Sequence, residues 1–416
     1  MNRPALLSLD DALPQLLANV KEHPHALYGC SNSVSTFDAD GLVLAQDIVS
    51  ELQVPPQDNS SMDGYAVRAS DCPVHGAVLK VTQRIPAGSH GLALGHGEAA
   101  RIFTGAPIPA NADAVVMQED CDVLSSDEIK VNKAVISGEW IRRSGEDVTQ
   151  GATVLKKGTR LTPAELGLAA SIGLAHLKVA AQPRIALFST GDELVMPGEV
   201  APQNMMPGAI YNSNRFFLRA LLQRLGCVVT DLGIVPDQRE ATVAALRDAA
   251  QHHDLILTSG GVSVGEEDHI KPAVESLGEL SLWQLAIKPG KPFAYGRIKS
   301  QVGACHFMGL PGNPVSSFIT FLLLVRPFLL AMQGCEETEI TRVNMTAHFD
   351  WPRADKRREF LRVKRNAQGG LDLFPNQSSG VLTSAVWGDG VVDNLPGQTI
   401  KKGDSVRYIS FAEWLR

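Results

Sequence analysis

The run DLILTSGGVSVGEEDHIKPAVE, Asp254 to Glu275, joins an apolar segment, a glycine-rich turn, three consecutive acids and a helical pattern. Leu255, Ile256 and Leu257 show no polar alternation, which predicts a strand covered on both faces. A turn of glycines and serines that opens a helix is the usual cradle of a phosphate, because its backbone N–H groups are unpaired. Glu266, Glu267 and Asp268 at its rim would repel that phosphate unless a divalent cation stood between them.

Working outward, RIALFST, CVVTDLGIV, SLWQLAIK and HFMGLP repeat the apolar, β-branched pattern. Helical patterns lie between them. NSNRFFLRALLQRLG has a polar cap and a terminal glycine, and DQREATVAALRDAAQHH opens with Asp237 and carries Glu240 three residues on, an acidic variant of the capping box. Strand and helix in alternation predict an α/β domain over 178–332, a parallel sheet with helices on both faces. FITFLLLVRPFLLAM is broken by Arg326 and Pro327 and reads as a buried helix, too short and interrupted for a bilayer.

Upstream, 51–147 is rich in glycine, proline and short β-prone runs such as AVLKVTQRI, which predicts a β-rich insert. It is flanked by a segmented linker region, 1–50 and 148–177. Downstream, 333–416 has closely spaced strand signals separated by turn residues and reads as a small all-β C-terminal domain.

Composition restricts the function. The 416 residues hold 38 basic and 45 acidic side chains, a formal charge of -7, which argues against a general nucleic-acid binder. The six cysteines are scattered without a C-x-x-C pair, which argues against a zinc knuckle and suits a reducing compartment. MNRPALLSLDDALPQLL has acids where a signal peptide has its apolar run, so the expected location is the cytoplasm, with no membrane.

Ligands of open α/β sheets bind beyond the carboxyl ends of the strands. FSTGDELVMPG places Asp192 and Glu193 there, IVPD places Asp237, and TSGGVSVGEED places Ser259, Gly260, Gly261 and Asp268. IKPGKPFAYG contributes Lys288 and Lys291, and GLPGNPVSS contributes Pro311 and Pro314. Singly, each has a plain structural reading: Asp237 caps a helix, the acids of 266–267 are solvated first-turn residues, and the lysines flank a surface turn. Their arrival at one sheet edge favours a site where glycines and lysines hold phosphate and acids hold a metal. G-x-x-x-x-G-K-[ST] is absent, which excludes a P-loop nucleotidase. MPGEVAPQNMMPGAIYNSN reads as a surface loop outside the site.

The insert carries a second cluster: Asp58, Asn59, Ser60, Ser61 and Asp63 in PPQDNSSMDGYAVR, Thr104 in RIFTGAP, and Arg142, Arg143, Glu146 and Asp147 in IRRSGEDV. Turn chemistry explains the first group as well as function does. In REFLRVKR, Phe360, Arg362 and Lys364 alternate with Glu359, Leu361 and Val363, either a solvated basic face or a strand that faces phosphate.

In order and spacing, DNSSMDGYAVR, RIFTGAPIP, ADAVVMQED, RRSGEDV, FSTGDEL, SGGVSVGEEDH, IKPGKPFAYG and GLPGNPVSS resemble the molybdopterin molybdenumtransferase family (MoeA type), related to the E domain of gephyrin. One departure is Leu42 in DGLVLAQD, where the family commonly has arginine. The resemblance implies an α/β multidomain protein with a parallel-sheet molybdopterin-binding domain, a β-rich insert, a segmented linker region and a C-terminal β-barrel. It implies a homodimer that inserts molybdate into adenylylated molybdopterin with Mg²⁺ and releases AMP. Contact with the molybdopterin adenylyltransferase and with acceptor molybdoenzymes follows from that role.

Carried over by position, the resemblance gives catalytic roles to Asp63, Asp147, Glu193, Asp237 and Asp268. Substrate binding falls to Thr104, Arg142, Ser259, Gly260, Gly261, Lys288, Lys291, Pro311, Pro314, Arg362 and Ser379. The metal falls to Asp192, Asp237 and Asp268. The preference between molybdate and tungstate stays open. Two rival readings are a molybdopterin adenylyltransferase, which is usually the α/β domain alone, and a scaffold, which has no need of a charged cleft.

Overall fold

The computed structural model describes residues 6–24, 29–236, 238–261, 269–301, 303–336 and 338–415. The backbone forms two compact units, one of Asp47–Lys156 with Pro163–His176 and one of the remaining chain.

The larger unit is built on a six-stranded sheet. Its order is Val228–Val235, Arg184–Thr190, Leu255–Ser259, Gly303–Leu310, Pro292–Ser300 and Gly278–Gln284. The first four strands run parallel, as the apolar runs require. Pro292–Ser300 pairs antiparallel with both of its neighbours, so one strand of the otherwise parallel sheet is reversed. The reversed strand is PFAYGRIKS. It forms a hairpin with Gly303–Leu310 that closes at the Ser300–Gly303 pair. The Gly278–Gln284 strand therefore points the same way as the parallel strands. The turn from Leu285 to Lys291 lies at the same carboxyl edge.

Alternate residues of each central strand enter different cores. Ile185, Leu187, Leu255, Leu257, Met308 and Leu310 face one layer, while Ala186, Phe188, Ile256 and Phe307 face the other. Helix Asn214–Arg224 covers the first layer with Leu218, Leu221 and Leu222. Helix Arg239–His252 covers the second with Leu246, Ala249 and Ala250. Gln238 occupies its cap position, and Asp237, expected as the cap, lies outside the described residues.

Pro314–Met332 is the one helix among the described residues long and apolar enough to cross a membrane, and 89% of its most apolar window is buried inside the protein, as the broken apolar run led us to expect. Its middle turn, Phe321–Val325, is a π-helix. Pro327 lacks an N–H and its ring would crowd the carbonyl one turn back; a widened turn relieves both.

The C-terminal region closes into a five-stranded barrel of Val343–Ala347, Arg358–Arg365, Gly370–Leu373, Gly390–Asn394 and Ser405–Ser410. Ile287 and Lys288 pair in parallel with Arg358 and Glu359 at its margin. The barrel is thereby sewn to the lysine turn of the α/β sheet.

The smaller unit has its own six-stranded sheet: Ala114–Met117, Gly64–Val67, Glu98–Ile102, Ala77–Ile85, Glu128–Val131 and Cys121–Val123. Tyr65, Val67, Leu79, Val116, Ile129 and Val131 pack on one face of it. Ala66, Ile85, Ala100, Ile102 and Val115 pack on the other.

Candidate functional site

Ser189, Ser259 and Leu310 lie in one register row at the carboxyl edge of the parallel strands. The loops beyond that row surround a cleft of about 790 Å³. Thr190, Gly191 and Glu193, the Ser259–Gly261 loop, and Pro311–Pro314 with Ser316 line it. Gly260 and Gly261 have φ of +95° and +66°, where L side chains are strained. A Cβ on Gly261 would stand 2.5 Å from Ile270 Cγ1 and 2.9 Å from Thr190 Oγ1, so glycine is the residue that lets this loop close.

The structure brings Ser259, Gly260, Gly261, Glu193, Pro311 and Pro314 to this cleft. Asp192 is exposed in the adjoining turn. Asp237 and Asp268 lie outside the described residues, as do Glu266 and Glu267. Among the described residues no three His, Cys, Asp or Glu side chains converge. The carboxylates on this edge are hard oxygen donors of the type a magnesium ion takes, and Glu193 faces the cleft directly.

The basic residues separate into two kinds. The Lys288 ammonium lies 2.9 Å from Glu359 Oε1 and 3.5 Å from Asp355 Oδ2. Glu359 is almost wholly buried and also accepts from Trp351 Nε1 at 2.8 Å. Arg357 holds the Asp355 carboxyl far below its ordinary range. Lys288 is thus committed to the barrel. Lys291 is half-buried three residues on, next to Pro292, which lines the cleft.

Arg362 is not on a solvated face. It is 1% exposed, and its guanidinium donates to Phe360 O at 3.0 Å, Ser384 Oγ at 3.1 Å and Ser378 O at 3.3 Å. Burial among neutral acceptors pushes it down to about 10. It fixes the loop that carries Ser379. Ser379 O accepts from Val315 N at 2.9 Å, at the start of the long apolar helix, and Gly380 reaches the cleft.

Ile210–Asn214, in the stretch expected to be a surface loop, also line the cleft; that expectation is corrected. Ile210 and Tyr211 pair in parallel with Leu194 and Val195, which draws the segment back to the sheet edge. Asn212 is 2% exposed and Asn214 is 7% exposed. The available signal was the polar triplet Asn212-Ser213-Asn214 directly before a helix, the same punctuation that marks the other loops of this edge. The proline and methionine composition upstream hid it.

In the smaller unit, the strand Asn59–Ser60 pairs with Ile141–Arg142, while Ser60 also bonds Gly105 and Ala106. This places Asp63, Thr104 and Arg142 around one short strand. Thr104 N and Oγ1 both donate to Asp63 Oδ1 at 2.8 Å, and these bonds, the backbone one first, hold the Asp63 carboxyl below its ordinary range. Asp58 builds the neighbouring turn, accepting from Ser144 N at 2.8 Å and Arg143 Nη1 at 2.6 Å. Asp147 is exposed, and its backbone N–H bonds Val54 O at 3.0 Å.

Three family models match the chain: the MoeA N-terminal region (domain I and II) over 7–173, a probable molybdopterin binding domain over 186–331, and the MoeA C-terminal region (domain IV) over 344–411. A molybdopterin molybdenumtransferase of Haemophilus influenzae is 41% identical over 330 residues, 79% of this chain and 78% of its own length. One from Synechococcus elongatus is 35% identical over 396 residues, 92% and 93% of the two chains. The crystal structure of a molybdopterin biosynthesis moeA protein from Pyrococcus horikoshii OT3 superposes with a TM-score of 0.82 at 28% identity, covering 98% of this chain and 100% of that chain.

Proposed function

The chain belongs to the MoeA family of molybdenum cofactor biosynthesis, a family of transferases, and on that premise we propose that it inserts molybdate into adenylylated molybdopterin and releases AMP. The observation that carries the proposal is the cleft at the carboxyl edge. Close-approach glycines at 260–261, the Pro311–Pro314 turn and Glu193 all line it. Such loops receive a phosphate on backbone N–H groups, and a carboxylate in the same lining suits a cation bound to that phosphate.

Mg²⁺ would be held by Asp192, Asp237 and Asp268, and when bound it would polarise the phosphoanhydride that joins AMP to the pterin. The chain's own residues supply the rest. The Ser259–Gly261 loop and the helix start at Pro314 orient the phosphates. Lys291, beside Pro292 of the cleft lining, offsets charge on the departing phosphate. In the smaller unit we assign Asp63 a catalytic role and Thr104 and Arg142 a substrate-binding role. The protein acts as a homodimer in the cytoplasm.

The test is AMP release from adenylylated molybdopterin by purified protein with Mg²⁺, with and without molybdate and with tungstate as control. Molybdate-dependent release supports the reading. Release that needs ATP and no oxyanion would place the chain with the adenylyltransferases. Substrate binding without release would leave a scaffold.

A further inference from the structure

Asn214 stands at the start of helix Asn214–Arg224, buried, between two loops that line the cleft. Its Nδ2 donates to Ser259 Oγ at 2.7 Å and to Gly312 O at 2.7 Å. A carbonyl only accepts, so the bond to Gly312 fixes which end of the carboxamide is nitrogen. The same nitrogen must then donate to Ser259. A serine hydroxyl that accepts from an amide keeps its own proton to donate. Among the described residues no acceptor meets the proton of Ser259, which lines the cleft.

We infer that Asn214 is a positioning residue that holds the Ser259–Gly261 loop and the Pro311–Asn313 turn at a fixed spacing and sets Ser259 as a hydrogen-bond donor toward an anionic group in the cleft. The inference rests on the proposed function for the identity of that group, the AMP phosphate. Asn214 itself touches no substrate. Its contribution passes through one hydroxyl and one backbone turn, and it comes from the stretch that composition marks as a loop.

Asn214→Asp keeps the shape and reverses the chemistry. A carboxylate cannot donate to Gly312 O, and it accepts the Ser259 proton that otherwise faces the cleft. Ser259→Ala removes the hydroxyl and leaves the Gly312 bond, which keeps the inference testable if the aspartate variant folds poorly. The experiment is calorimetric titration of the full-length proteins with AMP and, separately, the steady-state KM and kcat for adenylylated molybdopterin. Both single variants are expected to weaken AMP binding and raise KM about tenfold, with a smaller change in kcat. Tenfold corresponds to about 1.4 kcal/mol. The double variant should bind no more weakly than the weaker single, because the aspartate already withdraws the Ser259 proton that the alanine removes. Wild-type KM in both single variants, or fully additive losses in the double, would overturn the inference and leave the proposed function standing. Failure of the wild-type protein to bind AMP would overturn both.

Discussion

Lys288 Nζ and Glu359 Oε1 are 2.9 Å apart, across the join between the lysine turn and the barrel strand Arg358–Arg365. The second oxygen of Glu359 accepts from Trp351 Nε1 at 2.8 Å, so both lone-pair faces of a buried carboxylate are used. A buried charge persists only when paired and hydrogen-bonded, and Lys288 is the cation that meets this need. Lys291, in the same turn, stands next to Pro292 of the cleft lining.

Lys288→Ala and Lys291→Ala should therefore have opposite signatures. The first is expected to cost about 1–3 kcal/mol of stability: breaking a buried pair costs roughly 3–5 kcal/mol, and the lysine here is partly exposed while Glu359 keeps its tryptophan bond. The second should leave stability within about 0.5 kcal/mol and weaken AMP binding. Urea unfolding beside AMP titration separates the two. Equal anion-binding losses in both variants would contradict the division.

Gly290→Ala should disorganise the lysine turn. Gly290 has φ of +110°, and a Cβ there would collide with Thr320 Oγ1 in the long apolar helix. The expected cost is more than about 1 kcal/mol from backbone strain alone, before any repacking. The readouts are the melting temperature and AMP affinity, both of which should fall. An alanine variant as stable as the parent would show that the helix yields.

Asp393 should make the barrel sensitive to acid. Burial raises its carboxyl, but Arg358, Arg407 and Arg342 outweigh burial and hold it below its ordinary value. The contacts are 2.6 Å from Arg358, with 3.0 Å from each of the other two. A carboxyl lower in the folded than in the unfolded state stabilises above its unfolded pKa, about 3.9, and that stability is lost as pH falls through the folded value. Asp393→Asn should cost about 3–5 kcal/mol near pH 7, since it leaves three guanidiniums around a neutral amide. The difference from wild type should narrow below about pH 3.9, as wild-type Asp393 takes up its proton. A pH-independent difference in unfolding free energy would refute the electrostatic account.

Asp63→Ala removes the acceptor of both Thr104 bonds in the smaller unit. Both residues are exposed, so stability should change little. Molybdate-dependent AMP release should fall more than tenfold if the turn meets substrate. Thr104→Val, which keeps the backbone bond, should fall less. Full turnover in Asp63→Ala would remove this turn from the site.

Local patterns carried the strands and helices of the α/β sheet, the buried nature of Pro314–Met332 and the glycine loop at 260–261, because each follows from periodicity or from a backbone conformation open only to glycine. The same patterns could not show that Pro292–Ser300 turns back antiparallel, since direction is a property of pairing. Nor could they tell Lys288 from Lys291. The two lysines are chemically identical in sequence; only the barrel strand that arrives beside one of them supplies its carboxylate. Arg362 likewise looked like half of an alternating basic face, and the closed barrel buried it among carbonyls. Asn214 is the clearest case. Its two partners lie 45 and 98 residues away in the chain, and no pattern of neighbours encodes them. The sequence by itself determined which loops end at the sheet edge, because hydrophobic period and turn chemistry are local; the tertiary structure decided which side chains there are spent on one another, because hydrogen-bond partners are chosen by distance in space.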